Sequence, residues 1–179
     1  MNSKEMLKPV LVLTLICFIV TAALVVTYQF TAPQIATAKA AAADASRREV
    51  LPQAEEFAPL ELPAGLDPQV LEISRGISAG QTVGWVISCG SKGYGGTVMV
   101  MCGLDGQGAL TKVKITEHTE TPGLGSKVAD SAYTDLYSGA DISSYTQIDG
   151  VSGATITSKA LKAAIAAAYS AYGQIKEAV

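Results

Sequence analysis

The chain is poor in the residues that most metal sites and acid–base sites are built from. Histidine occurs once, at His118, and a single imidazole cannot make a metal site without a cluster of other ligands around it. There are three cysteines, Cys17, Cys89 and Cys102, with neither C-x-x-C nor zinc-ligand spacing. Basic residues number 13 against 16 acidic ones, and no basic stripe appears, so nucleic acid finds no footing on this chain. Aromatic residues make up only 6%, although hydrophobic residues reach 49%. The apolar content is therefore carried largely by Ala and Val, and Ala-rich stretches suit helices as well as core. No internal repeat is visible.

Charge is also missing from one long stretch. Pro9 to Phe30 reads PVLVLTLICFIVTAALVVTYQF, and as a helix it would be about 33 Å long, enough to cross a hydrocarbon core of about 30 Å. Tyr28 and Phe30 stand at its far end, where aromatic belts lie. The competing reading is a secretory signal with a cleavage site near Ala36-Thr37-Ala38, but apolar cores of such signals run only about 7 to 15 residues. Lys4 and Lys8 favour a cytoplasmic start, whereas Lys39, Arg47 and Arg48 beyond the run weaken that asymmetry. The expected layout is a cytoplasmic tail over 1–8, a transmembrane helix over 9–30, a stalk helix and linker over 31–68, and a domain over 69–179. Cys17 falls in the apolar run. Cys89 and Cys102 either pair across adjacent strands in an oxidising compartment or stay as free buried thiols.

Ala36 to Arg48 reads as a helical stalk, and Pro52, Pro59, Pro63 and Pro68 break the stretch after it. Strands are predicted at Val70–Ser74, Thr82–Cys89, Thr97–Cys102 and Leu110–Thr116 from β-branched and alternating patterns. A short helix is predicted over Lys127–Tyr137 and a longer one from Thr157 to about Glu177, with Leu161, Ile165, Ala168, Tyr172 and Ile175 on one face. Strands first and helices later imply an α+β domain with an antiparallel sheet and flanking helices.

Asp149 to Thr155 reads D-G-V-S-G-A-T and runs straight into the last helix. Gly150 and Gly153 allow tight backbone geometry. Ser152, Thr155 and Thr157 are good capping residues, and Lys159 adds a positive charge one turn in. Free N–H groups and the helix dipole favour an anion there, phosphate above all, although an ordinary capped helix start fits the same residues. G-V-S-G-A misses the G-x-S-x-G nucleophile elbow because residue 154 is Ala. An esterase-like role for Ser152 is the one hydrolase reading left. Upstream, Glu120 to Gly125 reads E-T-P-G-L-G, a sharply folded loop with little bulk. Gly93 to Gly96, G-Y-G-G, reads as a hairpin turn without the spacing of a dinucleotide fingerprint.

D-G-V-S-G-A-T resembles the flavinylation motif of the bacterial FMN-binding domain family, and E-T-P-G-L-G is characteristic of that family too. The resemblance covers nearly the whole chain, from tail and single anchor to domain, and its layout is similar to the G-subunit family of Rnf-type electron-transport complexes. The C subunits of sodium-pumping NADH:quinone reductases carry the same motifs in typically longer chains. The resemblance implies one covalent FMN, joined through its phosphate to Thr155 by a separate flavin transferase that uses FAD; Thr157 is the nearest rival hydroxyl. It implies a flavin site made by Ser152, Gly153, Ala154 and Thr155 together with Glu120, Thr121, Gly123, Leu124, Gly125 and Lys127, with Tyr94 as a neighbour. It gives no catalytic residue or metal ligand. It further implies an electron-carrier subunit that works with other membrane subunits of an Rnf-type complex, anchored in the cell membrane with its domain outside. A flavin-free, membrane-anchored binding module is the alternative from another class, and His118 is expected to be a partly exposed structural residue.

Overall fold

The computed structural model describes residues 3–63 and 65–178. Met1 and Asn2, the start of the expected cytoplasmic tail, lie outside the described residues. The chain divides into two compact units, Met1–Ala43 and Asp44–Val179.

The first unit is helical. Helix α1 spans Ser3–Val50 and contains Pro9 and Pro33. It is long and apolar enough to cross a membrane, with a window of mean hydropathy 2.9. Three hydroxyls of this unit are satisfied locally: those of Thr14, Thr27 and Thr31 donate to the carbonyls of Val10, Ala23 and Thr27, at 2.9, 2.9 and 2.7 Å. Such back-bonding removes the cost of a free hydroxyl in an apolar surrounding. The sequence suggested a transmembrane helix followed by a separate stalk. The structure has one continuous helix, with no break at Pro33.

The second unit is built on a five-stranded antiparallel sheet in the order β1-β2-β3-β4-β5. The strands are β1 (Glu56–Leu60), β2 (Val70–Ser78), β3 (Gln81–Lys92), β4 (Thr97–Asp105) and β5 (Leu110–Glu117). Alternation sends Ile87, Cys89, Val100, Cys102 and Val113 to one face, where they pack with Leu161, Ile165 and Ala168 of helix α3 (Thr155–Ala178). Val86 and Met101 point the other way and form a smaller cluster with Val50, Leu51 and Ala54. The compact unit thus takes in the last turns of α1 and β1, which the sequence reading placed before the domain.

That helix foot is held by charge as well as by apolar contact. Arg47 meets Glu72 at 2.5 Å, and Glu49 meets Lys112 at 3.1 Å and Lys114 at 2.5 Å. The hydrogen bonds from Lys114 and then Lys112 hold the Glu49 carboxyl below its ordinary value. A depressed carboxyl stabilises the fold above its unfolded value and loses that contribution as pH falls through the folded one, so this clamp weakens in acid.

The stretch expected as a helix over Lys127–Tyr137 is instead three short pieces: a 3-10 turn at Gly125–Ala129, α2 (Ser131–Thr134) and a 3-10 turn at Asp135–Tyr137. Asp130 is extended (φ −66°, ψ 137°) and its carbonyl restarts the ladder by accepting from Tyr133 and Thr134.

Cys89 and Cys102 are free and buried. Cys89 lies opposite Val100 and Cys102 opposite Ile87, so the two thiols are diagonal rather than paired. Burial pushes the Cys89 thiol up to about 12 and holds the Cys102 thiol well above its ordinary value. Because the thiolate is the reactive form, neither should be alkylated at pH 8 in the native protein. Both should label fully in denaturant without reductant, as read by peptide mass. Protection that persists in denaturant until a reductant is added would reveal a disulfide.

Candidate functional site

Three segments far apart in sequence converge on the first turn of α3. The hairpin turn at Gly93–Gly96 joins β3 to β4, the Glu120–Gly125 loop follows β5, and the Asp149–Ala154 loop leads into the helix. Between them lies a cleft of about 390 Å³ lined by Tyr94, Glu120, Thr121, Leu124, Gly125, Gly153, Ala154, Thr155, Ile156 and Thr157. That is within the range of about 300–1,000 Å³ usual for small-ligand sites. A second cleft of about 350 Å³, lined by Gly150, Val151, Ser152, Gly153, Thr155, Ser158, Lys159 and Lys162, adjoins it. Gly153 and Thr155 belong to both.

Each loop is fixed by specific bonds. Ser158, from the first turn of α3, accepts the Val151 N–H through Oγ at 3.0 Å, and the Tyr133 hydroxyl donates to the Asp149 carbonyl at 3.0 Å. In the E-T-P-G-L-G loop the Gly123 N–H donates to Ser126 Oγ at 2.9 Å. Two glycines let the loops close on one another. Gly153 has φ +80°, and a Cβ there would press on the Leu124 side chain at 3.1 Å. A Cβ on Gly125 would meet Glu120 Oε2 at 2.6 Å and Thr157 Oγ1 at 3.1 Å.

The helix opens at Thr155, with Ala154 in the cap position. The first helical N–H groups lack intrahelical acceptors, and a methyl side chain cannot supply one. The capping roles expected for Thr155 and Thr157 are therefore not taken up: both lie inside the helix. Their hydroxyls differ sharply. Thr155 is exposed, whereas Thr157 is only 2% exposed and donates to Glu120 Oε2 at 2.6 Å.

Of the residues expected at a flavin site, Tyr94, Glu120, Thr121, Leu124, Gly125, Gly153, Ala154 and Thr155 come together in the first cleft. Ser152 lines only the second, and Gly123 and Lys127 line neither. Lys127 is exposed on the 3-10 turn. Ile156 and Lys162 were not singled out from the sequence; Lys162, seven positions after Thr155, shares its helical face and could have been flagged by spacing, whereas Ile156, one position after it, carries no such signal. Ser152 has no hydrogen bond to His118 among the described residues, and His118 Nδ1 instead accepts the Glu120 N–H at 3.3 Å. Among the described residues no hydrogen bond joins Ser152 to a basic side chain.

Comparison with known proteins places this geometry. Residues 93–170 match the FMN-binding domain, and residues 1–50 match the RnfG N-terminal region. The G subunit of the Na(+)-translocating ferredoxin:NAD(+) oxidoreductase complex of Acetobacterium woodii is 30% identical over 88% of this chain and 89% of its own length. This chain belongs to the G-subunit family of Rnf-type complexes. The G subunit of the ion-translocating oxidoreductase complex of Methanosarcina acetivorans is 28% identical over 89% of the chain and 90% of that protein. Among solved structures, NqrC of Shewanella oneidensis shares the fold, with a TM-score of 0.52 and 20% identity over 59% of this chain and 61% of that one. As a member of the Rnf-type G-subunit family, the protein has an FMN-binding domain that contains all three converging segments, from Gly93 to the first turns of α3.

The residues present fit FMN. Leu124, Ile156 and Tyr94, exposed at 48%, 52% and 73%, give the first cleft apolar surface for a flat ring. The first helical N–H groups, with Lys159 and Lys162 in the adjoining cleft, suit a phosphate. Lys162 also donates to the Thr146 carbonyl at 2.9 Å, which fixes its position.

Proposed function

We propose that Thr155 carries FMN through a phosphoester, that the domain stands on the outer side of the cell membrane, and that the subunit relays electrons there within an Rnf-type complex. The observation that carries this reading is the Thr155 hydroxyl, exposed and shared by both clefts, while its neighbour Thr157 is buried and spoken for.

An unactivated threonine is a weak nucleophile, and no general base stands beside Thr155 among the described hydrogen bonds. Attachment therefore calls for a separate transferase. In such a transfer Thr155 Oγ would take the FMN phosphoryl group of FAD, with AMP as the leaving group and the hydroxyl proton going to a base of the transferase. Once bound, FMN supplies one- and two-electron redox chemistry. The chain's own work is positional. Leu124 and Ile156 bound the ring cleft, the glycines keep it narrow, and the opening of α3 with Lys159 and Lys162 neutralises the phosphate. A bonded cofactor on an anchored domain keeps a high effective concentration near its redox partners, where a free one would diffuse away.

The test uses the full chain, co-expressed with a flavin transferase and purified from membranes. Intact mass should show one FMN increment, and peptide mapping should place it at Thr155. Protease added to sealed right-side-out vesicles should digest the domain. An unmodified chain would remove the flavin reading and leave an anchored binding module, while full protection in right-side-out vesicles with digestion in inverted ones would reverse the orientation.

A further inference from the structure

The most tightly held polar group of the site faces away from solvent. Glu120 is 5% exposed, and both carboxylate oxygens are spent inside the chain. Oε1 accepts the Gly95 N–H at 2.9 Å and Oε2 accepts the Thr157 hydroxyl at 2.6 Å. The bonds therefore run from the loop that carries Glu120 to the hairpin turn beside Tyr94 and to the first turn of α3, into which the third segment leads and which carries Thr155. The arrangement leaves no slack. A Cβ on Gly95 would collide with the Thr119 carbonyl, one on Gly125 would meet Glu120 itself, and the Thr119 hydroxyl adds a bond to the Gly95 carbonyl at 3.0 Å.

We infer that Glu120 is a positioning residue for flavin attachment: it registers the three loops so that the Thr155 hydroxyl is presented at a fixed place, and it does so through its two acceptor oxygens rather than through flavin contact or charge. Its side chain lines the cleft wall, with each oxygen already engaged by a bond within the chain. Thr157 is then the partner in this clasp rather than a second acceptor. The inference rests on the reading that Thr155 is flavinylated.

Three variants of the full chain separate geometry from charge. In Glu120→Gln the amide oxygen can take the Gly95 N–H, and the amide nitrogen can donate to Thr157 in place of the reversed bond, so both links survive without charge. Glu120→Ala loses both links, and Thr157→Val loses one while keeping the volume of the side chain. The readouts are the rate of FMN incorporation by intact mass at fixed transferase concentration, and the thermal midpoint of the apoprotein. The expected result is a rate within about twofold of wild type for Glu120→Gln, and slower by about tenfold or more for Glu120→Ala and Thr157→Val, the scale of losing a hydrogen bond to a charged group. Glu120→Gln as slow as Glu120→Ala would overturn the inference in favour of charge or direct contact. Wild-type rates in Thr157→Val would overturn it even if Glu120→Ala fails to fold. Wild-type protein that takes up no flavin would instead sink the underlying assignment.

Discussion

Thr155→Val is expected to abolish covalent flavin and to leave the domain folded. The substitution exchanges a hydroxyl for a methyl group of similar size at an exposed position. Thr155 sits inside the first turn of α3, with Ala154 before it in the cap position, so no capping bond is lost. The capping penalty of about 1 kcal/mol that a threonine at the cap itself would carry does not apply. Stability should stay within about 0.5 kcal/mol of wild type, as for an ordinary surface change. The flavin mass increment and in-gel fluorescence should both vanish. Thr155→Ser restores a hydroxyl and should recover part of the increment. A full FMN increment on the Val variant would move the acceptor elsewhere, and Thr157, buried against Glu120, would be a poor place to move it.

The second large effect lies on the opposite face of the sheet. At Gly103 on β4, a Cβ would run into the Val50 carbonyl oxygen and stand 2.5 Å from Thr111 Oγ1. Thr111 donates its hydroxyl to that same carbonyl. Gly103→Ala therefore has to push backbone away from backbone and strain that bond, while Val50 and Leu51 lose their fit against Val86 and Met101. Overpacking costs about 1–3 kcal/mol and the strained hydrogen bond about 1 more. Expressed as a thermal midpoint, a loss of about 3 kcal/mol is a fall of roughly 10 °C for a unit of this size. Gly106→Ala, where an added Cβ meets nothing within 4 Å, is the matched control and should change little. A Gly103→Ala midpoint equal to the control would show that the helix foot is not seated as described.

Much of the fold can be read directly from residue patterns. β3, β4 and β5 announce themselves through β-branched runs, and α3 through spaced apolar residues over a long alanine-rich stretch. β1 does not, because Pro59 and its short length read as linker; it is an edge strand, where a missing N–H is tolerated. β2 runs past Ser74 to Ser78 because pairing with β3 carries it through Arg75-Gly76, where local propensity falls away. The helix expected over Lys127–Tyr137 is interrupted at Asp130, which takes the extended backbone of an N-cap before α2, a position Asp favours. For the site, the motifs name most of the cleft wall. They cannot show that Glu120 bonds to Thr157, since those residues are 37 positions apart and the contact exists only after the sheet and α3 have packed. Nor could composition tell whether Lys127 or Lys162 faces the cleft; only the latter does.

The sheet packs α3 on one face and the end of α1 on the other. Alternate residues of the same strands serve each side, Ile87 and Cys102 one, Val86 and Met101 the other. The strands thereby act as a partition between attachment and chemistry. Substitutions that refit the chain to a different bilayer or neighbouring subunit can accumulate on one side of this wall while the proposed flavin site on the other keeps its surroundings, which makes the two sides separately tunable.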